Sequence, residues 1–187
     1  MDHYVEIRLL PDPEFPVTTL MNALFSKFHR GLVGHGEGRI GVSFPDVREG
    51  SRSLGSRLRL HGEGPDLCGF MTEGWLSGMG DHISINGPTP VPAGARYRAV
   101  RRVQAHSSPE RERRRLIARK GVSAEEATAA IPDSRAELLT LPFLMLASRS
   151  TGQHFPLFIE HLPVVETPCG GAFNSYGLSA TTTVPWF

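Results

Sequence analysis

Residues 3–33 read HYVEIRLL, then PDPEFP, then VTTLMNALFSKFHRGLV, and this stretch decides the fold class. In the first segment Val5, Ile7 and Leu9 alternate with polar neighbours, the two-residue period of a half-buried strand. Pro11, Pro13 and Pro16 break the chain. From Val17 to Val33 the period changes: Leu20, Met21, Leu24, Phe25, Phe28 and Leu32 recur at helical spacing, and Gly34, Gly36 and Gly38 end the helix. Working outward, residues 39–44 and 57–61 read as strands on either side of a polar loop. A weaker helix is expected from Asp66 towards Leu76 after Pro65, although Gly69 and Gly74 interrupt it, and residues 82–86 supply a fourth strand. The order β-α-β-β-α-β is the ferredoxin-like pattern within an α+β fold.

Asn86 to Gly94 is rich in Pro and Gly and reads as a linker between residues 1–94 and a smaller, irregular C-terminal domain, 95–187. Beyond it come a strand-like stretch from Tyr97 to Ala105, a helix from Pro109 to about Lys120, and another across Ala124 to Ala130. Apolar runs follow at 143–147, 155–159 and 173–178, broken by glycines. No apolar run approaches the ~20 residues of a membrane span. The N-terminal residues lack the basic and apolar regions of a signal peptide. Cys68 and Cys169 lie far apart and match no metal spacing, so a reduced, cytoplasmic protein that needs no membrane is expected.

The net charge of +1 conceals an asymmetry. Ten of the 20 Lys and Arg residues fall between Arg96 and Lys120, against two acids, Glu110 and Glu112. Local charge density, not the total, sets the field that a polyanion meets. Ser108-Pro109-Glu110 is a strong helix start and Gly121 a good stop. At 100° per residue, Arg111, Arg114, Arg115 and Arg119 share roughly 140° of arc, with Ile117 opposite. Like charges at i and i+4 repel, a cost that an anionic partner offsets. Arginine forks match phosphate oxygens bidentately, so a nucleic-acid backbone is the expected ligand, and Lys120, which follows Arg119 at the end of the helix, is counted among its contacts.

Several short segments carry a resemblance: MDHYVEIRLLPDPEFP at 1–16, RIGVSFPD at 39–46, residues 102–115, SRSTGQHF at 148–155, YGLS at 176–179 and VPWF at 184–187. Together, in order and at matching spacings, they resemble the repeat-cleaving endoribonuclease of type I-F CRISPR systems, the Csy-type branch of the CRISPR RNA-processing nucleases. Residues 62–95 match poorly. The resemblance implies a ferredoxin-like N-terminal domain and a C-terminal domain bearing the arginine helix. It also implies a CRISPR repeat stem-loop as substrate, a cleaved product kept bound, and a place among the other protein subunits of a surveillance complex. A hairpin-holding subunit of the same architecture that does not cut is the alternative.

Metal-free RNA cleavage uses the ribose 2′-hydroxyl as an internal nucleophile, leaving a 5′-hydroxyl and a 2′,3′-cyclic or 3′-phosphate. It requires a group to exchange protons and a group to hold the nucleophile. No cluster of carboxylates has the look of a two-metal site, so neither a metal nor another cofactor is expected. His29 lies at the edge of the first helix's apolar stripe, where a histidine is ordinarily a packing or surface residue; the resemblance implies that it is the catalytic imidazole. Ser148 is by itself a turn serine, and the resemblance implies that it holds the 2′-hydroxyl, with Ser150 and Thr151 near the scissile phosphate. Tyr176, otherwise a tyrosine at a sheet edge, would orient the histidine. Arg102 and Gln104, two apart in an extended stretch, share a side, and with the resemblance they become the base readers near the foot of the stem: guanine suits arginine and adenine suits glutamine. Phe155 either stacks on a base or belongs to the core. His154 and His161, seven apart, would face opposite sides of a strand and make no zinc site.

Overall fold

The computed structural model describes residues 1–36, 38–104, 109–132, 140–148 and 152–187. Two compact units emerge. Met1–Val103 together with Leu141–Phe187 form the larger, and Gln104–Thr140 the smaller. Among the described residues there are four α-helices and two antiparallel sheets, the mixed α+β class expected.

The larger unit begins with β1 (His3–Leu9), α1 (Val17–His35), β2 (Gly41–Ser43), β3 (Arg57–Gly62), α2 (Gly64–Thr72) and β4 (Ile83–Ile85). The sheet order is β2-β3-β1-β4, with every pairing antiparallel. Each βαβ step therefore crosses over a neighbouring strand, the wiring of the split β-α-β. Val5 and Ile7 are fully buried, as the alternation required. All six stripe residues of α1, Leu20, Met21, Leu24, Phe25, Phe28 and Leu32, enter one core with them. Each such side chain contributes roughly 1.5–3 kcal/mol on burial, which is what turns a weakly capped helix into a fixed element. On the opposite face Glu6 pairs across the strands with Arg59 at 2.7 Å, both nearly buried.

Several boundaries differ from the sequence expectation. Helix α1 runs through Gly34 and stops at His35, where Gly36 takes φ +109°. Helix α2 starts earlier, with Pro65 in its first turn, and ends at Thr72; Gly74 at φ +67° turns the chain before Leu76 is reached. Residues 39–44 yield only the three-residue β2. The stretch expected as a linker contains β5 (Thr89–Pro90), which pairs with His3 and Tyr4 of β1.

The second sheet also belongs to the larger unit: β6 (Arg96–Val103), β7 (Phe143–Ala147), β8 (His154–His161) and β9 (Thr183–Trp186), in the order β7-β8-β6-β9. Phe173–Leu178, an apolar run by sequence, forms turns and not a strand, whereas the unanticipated β9 pairs with β6. Pro185 cannot donate to a ladder, so β9 is tolerated only as the edge strand it is.

The smaller unit holds α3 (Pro109–Lys120) and α4 (Ala124–Ala130). Gly121 at φ +63° ends α3, its N–H donating to the Ile117 carbonyl at 2.8 Å. Ser123 and Glu126 form a capping box that starts α4. The expected cap at Ser108 lies outside the described residues. No helix among the described residues is long and apolar enough to cross a membrane.

Candidate active site

Helix α1 has a second face beside its core stripe. Asn22, Ser26, His29, Arg30 and Val33 follow one another at helical spacing and remain partly or fully exposed. The Asn22 Oδ1 accepts the Met145 N–H at 3.0 Å, which docks β7 along this face. Strand β7 ends at Ala147, and Ser148 opens the turn into β8. The Ser148 N–H donates to the Gln153 carbonyl at 2.9 Å and the Gly152 N–H to the Ser148 carbonyl at 2.8 Å. The register then sets Phe155 opposite Leu146. Between helix and hairpin lies a cavity of about 300 Å³, lined by Ser26, His29, Arg30, Val33, Leu146, Ala147, Ser148, Phe155 and Tyr176.

Its remaining wall is a turn at residues 174–178. The Asn174 Oδ1 accepts the N–H groups of Tyr176 at 2.9 Å and Leu178 at 3.2 Å. The backbone closes the turn with Gly177 N–H to Asn174 carbonyl at 2.8 Å and Asn174 N–H to Leu178 carbonyl at 3.0 Å. Gly177 is required here. Its φ is +68°, and a β-carbon would fall 2.3 Å from Val42 Cγ1, where the Val42 N–H donates to the Gly177 carbonyl at 2.9 Å.

This turn carries the two groups that hold His29. The Nδ1 of the imidazole lies 2.7 Å from the Ser175 carbonyl. A carbonyl only accepts, so Nδ1 carries the hydrogen, and in the neutral ring Nε2 keeps its lone pair. The Tyr176 ring stacks on the imidazole, centroids 4.2 Å apart and planes within 12°. Phe25 lies parallel to Tyr176 at 6.5 Å, and the Arg102 guanidinium sits over the tyrosine ring at 5.6 Å. The histidine is held through one nitrogen and one ring face, with its second nitrogen left to exchange a proton.

Of the residues singled out from sequence, His29, Ser148, Tyr176 and Phe155 meet at one cavity, and Arg102 adjoins it through Tyr176. Phe155 is partly buried against the core and also lines the cavity. Gln104 follows the end of β6 and is exposed. Ser150 and Thr151 lie outside the described residues. In the smaller unit Arg111, Arg114, Arg115, Arg119 and Lys120 are all exposed on α3. The helix is not purely repulsive, however: Arg114 pairs with Glu110 at 2.7 Å, an opposite-charge i,i+4 contact that the sequence reading passed over. Arg113 has a structural task, donating to the Ile131 carbonyl at 2.7 Å and so tying α3 to the end of α4.

Sequence reasoning missed Ser26, Arg30 and Asn174. The first two carry a signal, since they stand three before and one after His29 on a helix. Asn174 carries only the turn-forming habit of asparagine.

Other histidines are differently placed. His61 is fully buried and shares a 2.8 Å hydrogen bond with Ser43 through Nε2. Burial, with the Arg59 charge adding to it, pushes its pKa down to about 3. His161 is likewise pushed down to about 3 by burial and by Arg98, and both of its ring nitrogens are buried without a partner among the described residues. His154, seven positions away on β8, is exposed. Among the described residues no three His, Cys, Asp or Glu side chains gather as a metal site would require.

Comparison with known proteins adds to this geometry. The sequence pattern of the family described as "CRISPR-associated protein (Cas_Csy4)" matches residues 4–187. The chain is 53% identical over 187 residues, the whole of both chains, to the CRISPR-associated endonuclease Cas6/Csy4 of Pseudomonas aeruginosa (strain UCBPP-PA14). It is 46% identical, again over the full length of both, to the CRISPR-associated endonuclease Cas6/Csy4 of Escherichia coli (strain UTI89 / UPEC).

Proposed function

Because this chain belongs to the CRISPR-associated Cas_Csy4 family, we propose that it is an endoribonuclease that cuts CRISPR repeat stem-loops in precursor transcripts, without a metal ion, to release guide RNAs. The observation that carries the proposal is the meeting of His29, Ser148 and Tyr176 at one cavity, with the imidazole held through Nδ1. None of the described residues lining that cavity is a carboxylate, so the proton-exchanging group at hand is the imidazole. His29 Nε2 takes the proton of the ribose 2′-hydroxyl, Ser148 holds that hydroxyl, and its oxygen attacks the adjacent phosphorus. The bond to the 5′-oxygen breaks, and that oxygen leaves with a proton taken from solvent, to which the His29 imidazolium returns its own. One strand end becomes a 2′,3′-cyclic phosphate, open to later hydrolysis to a 3′-phosphate, and the other a 5′-hydroxyl. Proton exchange by a positioned imidazole is worth on the order of a hundred- to ten-thousandfold in rate. Tyr176 supports it by stacking.

In this proposal residues 1–94 supply the base, and residues 95–187 supply the hydroxyl holder, the tyrosine and the basic helix. Arg102 and Gln104 read bases at the foot of the stem, Ser150 and Thr151 bind near the scissile phosphate, and Phe155 closes the last base pair. Arg111, Arg114, Arg115, Arg119 and Lys120 contact phosphates. The cleaved hairpin stays bound, and the protein remains with it as a subunit of the type I-F surveillance complex in the cytoplasm.

The test is cleavage of the repeat RNA in EDTA by the wild type and by His29→Ala, alongside hairpin binding. Cutting by the wild type alone, with both proteins binding, is the expected result. A requirement for added divalent ions sinks the metal-free mechanism. Tight binding by both with cutting by neither makes the protein a hairpin-holding subunit.

A further inference from the structure

The imidazole of His29 is held by a backbone carbonyl on a turn, so something must hold that turn. Ser175, whose carbonyl accepts the Nδ1–H at 2.7 Å, stands 146 positions away in sequence and belongs to no strand. Its direction follows from its neighbours. On one side is Asn174, whose Oδ1 accepts two backbone N–H groups, those of Tyr176 and Leu178. On the other is Tyr176, whose ring covers the imidazole. One side-chain oxygen thus pins, through the Tyr176 N–H, the peptide unit that carries the carbonyl His29 uses, and the same oxygen anchors the backbone of the stacking residue.

We infer that Asn174 is a positioning residue for the RNA-cleaving reaction: by bracing the 174–178 turn it selects the Nδ1–H form of His29 and leaves Nε2 as the atom that exchanges the substrate proton. The inference rests on the function proposed above. An imidazole free to choose its tautomer presents Nε2–H to the cavity part of the time, and that form cannot accept the 2′-hydroxyl proton there. The backbone N–H of residue 176 would also lose its acceptor, allowing the Tyr176 ring to drift from the imidazole face. Outer partners that orient a histidine ordinarily matter by about ten- to a hundredfold. Asn174 itself is exposed and absent from the cavity lining, so its effect passes through the turn.

The experiment pairs nitrogen-15 NMR of the His29 ring in the free protein, above neutral pH, with single-turnover cleavage of the repeat hairpin at saturating enzyme. The variants are Asn174→Ala and Asn174→Asp, whose carboxylate oxygen accepts the same two N–H groups. The expected wild-type spectrum shows Nδ1 protonated and Nε2 bare. Asn174→Ala is expected to mix the tautomers and cut about ten- to a hundredfold more slowly while binding the hairpin as tightly as the wild type. Asn174→Asp is expected to recover both the tautomer and most of the rate. An Nε2–H tautomer in the wild type overturns the inference even if the alanine variant does not fold. So does an alanine variant with wild-type tautomer and rate, or an aspartate variant as slow as alanine. A wild type that shows the expected tautomer yet cuts no RNA overturns the proposed function and this role with it; the spectrum separates that failure from a failure of the turn.

Discussion

His29 and His61 have the same side chain and lie in the same compact unit, yet they sit in opposite surroundings. His61 sits in β3 between buried strands, with Ser43 as its hydrogen-bond partner, and burial together with Arg59 keeps it neutral far below its ordinary range. His161, beside Trp186 and Phe44 in the second sheet, is treated in the same way. His29 is half-exposed, tied through one nitrogen to a carbonyl and covered by Tyr176 on one face, at the wall of a cavity. A buried imidazole has traded its chemistry for packing. One that is held but open to a cavity keeps it. Histidine in a sequence therefore says little until its two nitrogens and its access to solvent are known.

The sharpest way to break this contrast is to truncate each histidine. His61→Ala leaves a void and strands the Ser43 hydroxyl, and should lower unfolding stability by roughly 2–4 kcal/mol. His29→Ala should change stability by under ~1 kcal/mol, the usual range for a partly exposed site. Urea unfolding of the two variants checks this, and equal losses would end the distinction.

Acid gives the next largest effect. His61 and His161 titrate near pH ~6.5 in the unfolded chain and at about 3 in the folded one. Between those values the unfolded state binds the protons. The stability they support is thus fully present above pH ~6.5 and is lost progressively as pH falls towards 3, at about 2 kcal/mol per histidine by pH 5. Denaturant unfolding at pH 7.5 and pH 5 measures the loss, and His161→Phe should remove about half of it while costing little at pH 7.5. An unchanged pH slope in that variant would show that His161 is not held neutral.

The smallest effect extends the same comparison to arginines. Exposed Arg115 has no ion pair among the described residues, whereas Arg113 is tied to the Ile131 carbonyl. Arg115→Ala should lower the slope of hairpin affinity against salt by about 1 without altering stability. Arg113→Ala should loosen the smaller unit, seen as faster amide exchange in α3 and α4. Interchanged outcomes would reverse the assignment of roles.

Much of the first half was legible because its periodicities are unbroken. The stripe on α1 named every one of its deeply buried side chains, since a helix face repeats locally and needs no knowledge of the partner. The end of α2 and the nature of residues 86–94 were less clear, because Gly74 acts through its backbone angle and β5 exists only by pairing with β1. Strand β9 was hidden by Pro185, which argues against a strand everywhere except at an edge.

From the sequence alone came the α+β class, the basic helix, and, through resemblance, the three residues that meet at the cavity. These are properties of composition, short-range period and segment matching, all contained in the chain itself. Only the tertiary structure decided that Asn22 docks β7 beside His29, that the Ser175 carbonyl fixes which imidazole nitrogen is available, and that His61 and the two ring nitrogens of His161 are shut away from water. Each of those outcomes depends on contacts between residues far apart in the chain, and on the exclusion of water that such contacts bring about. Neither is encoded in any local stretch.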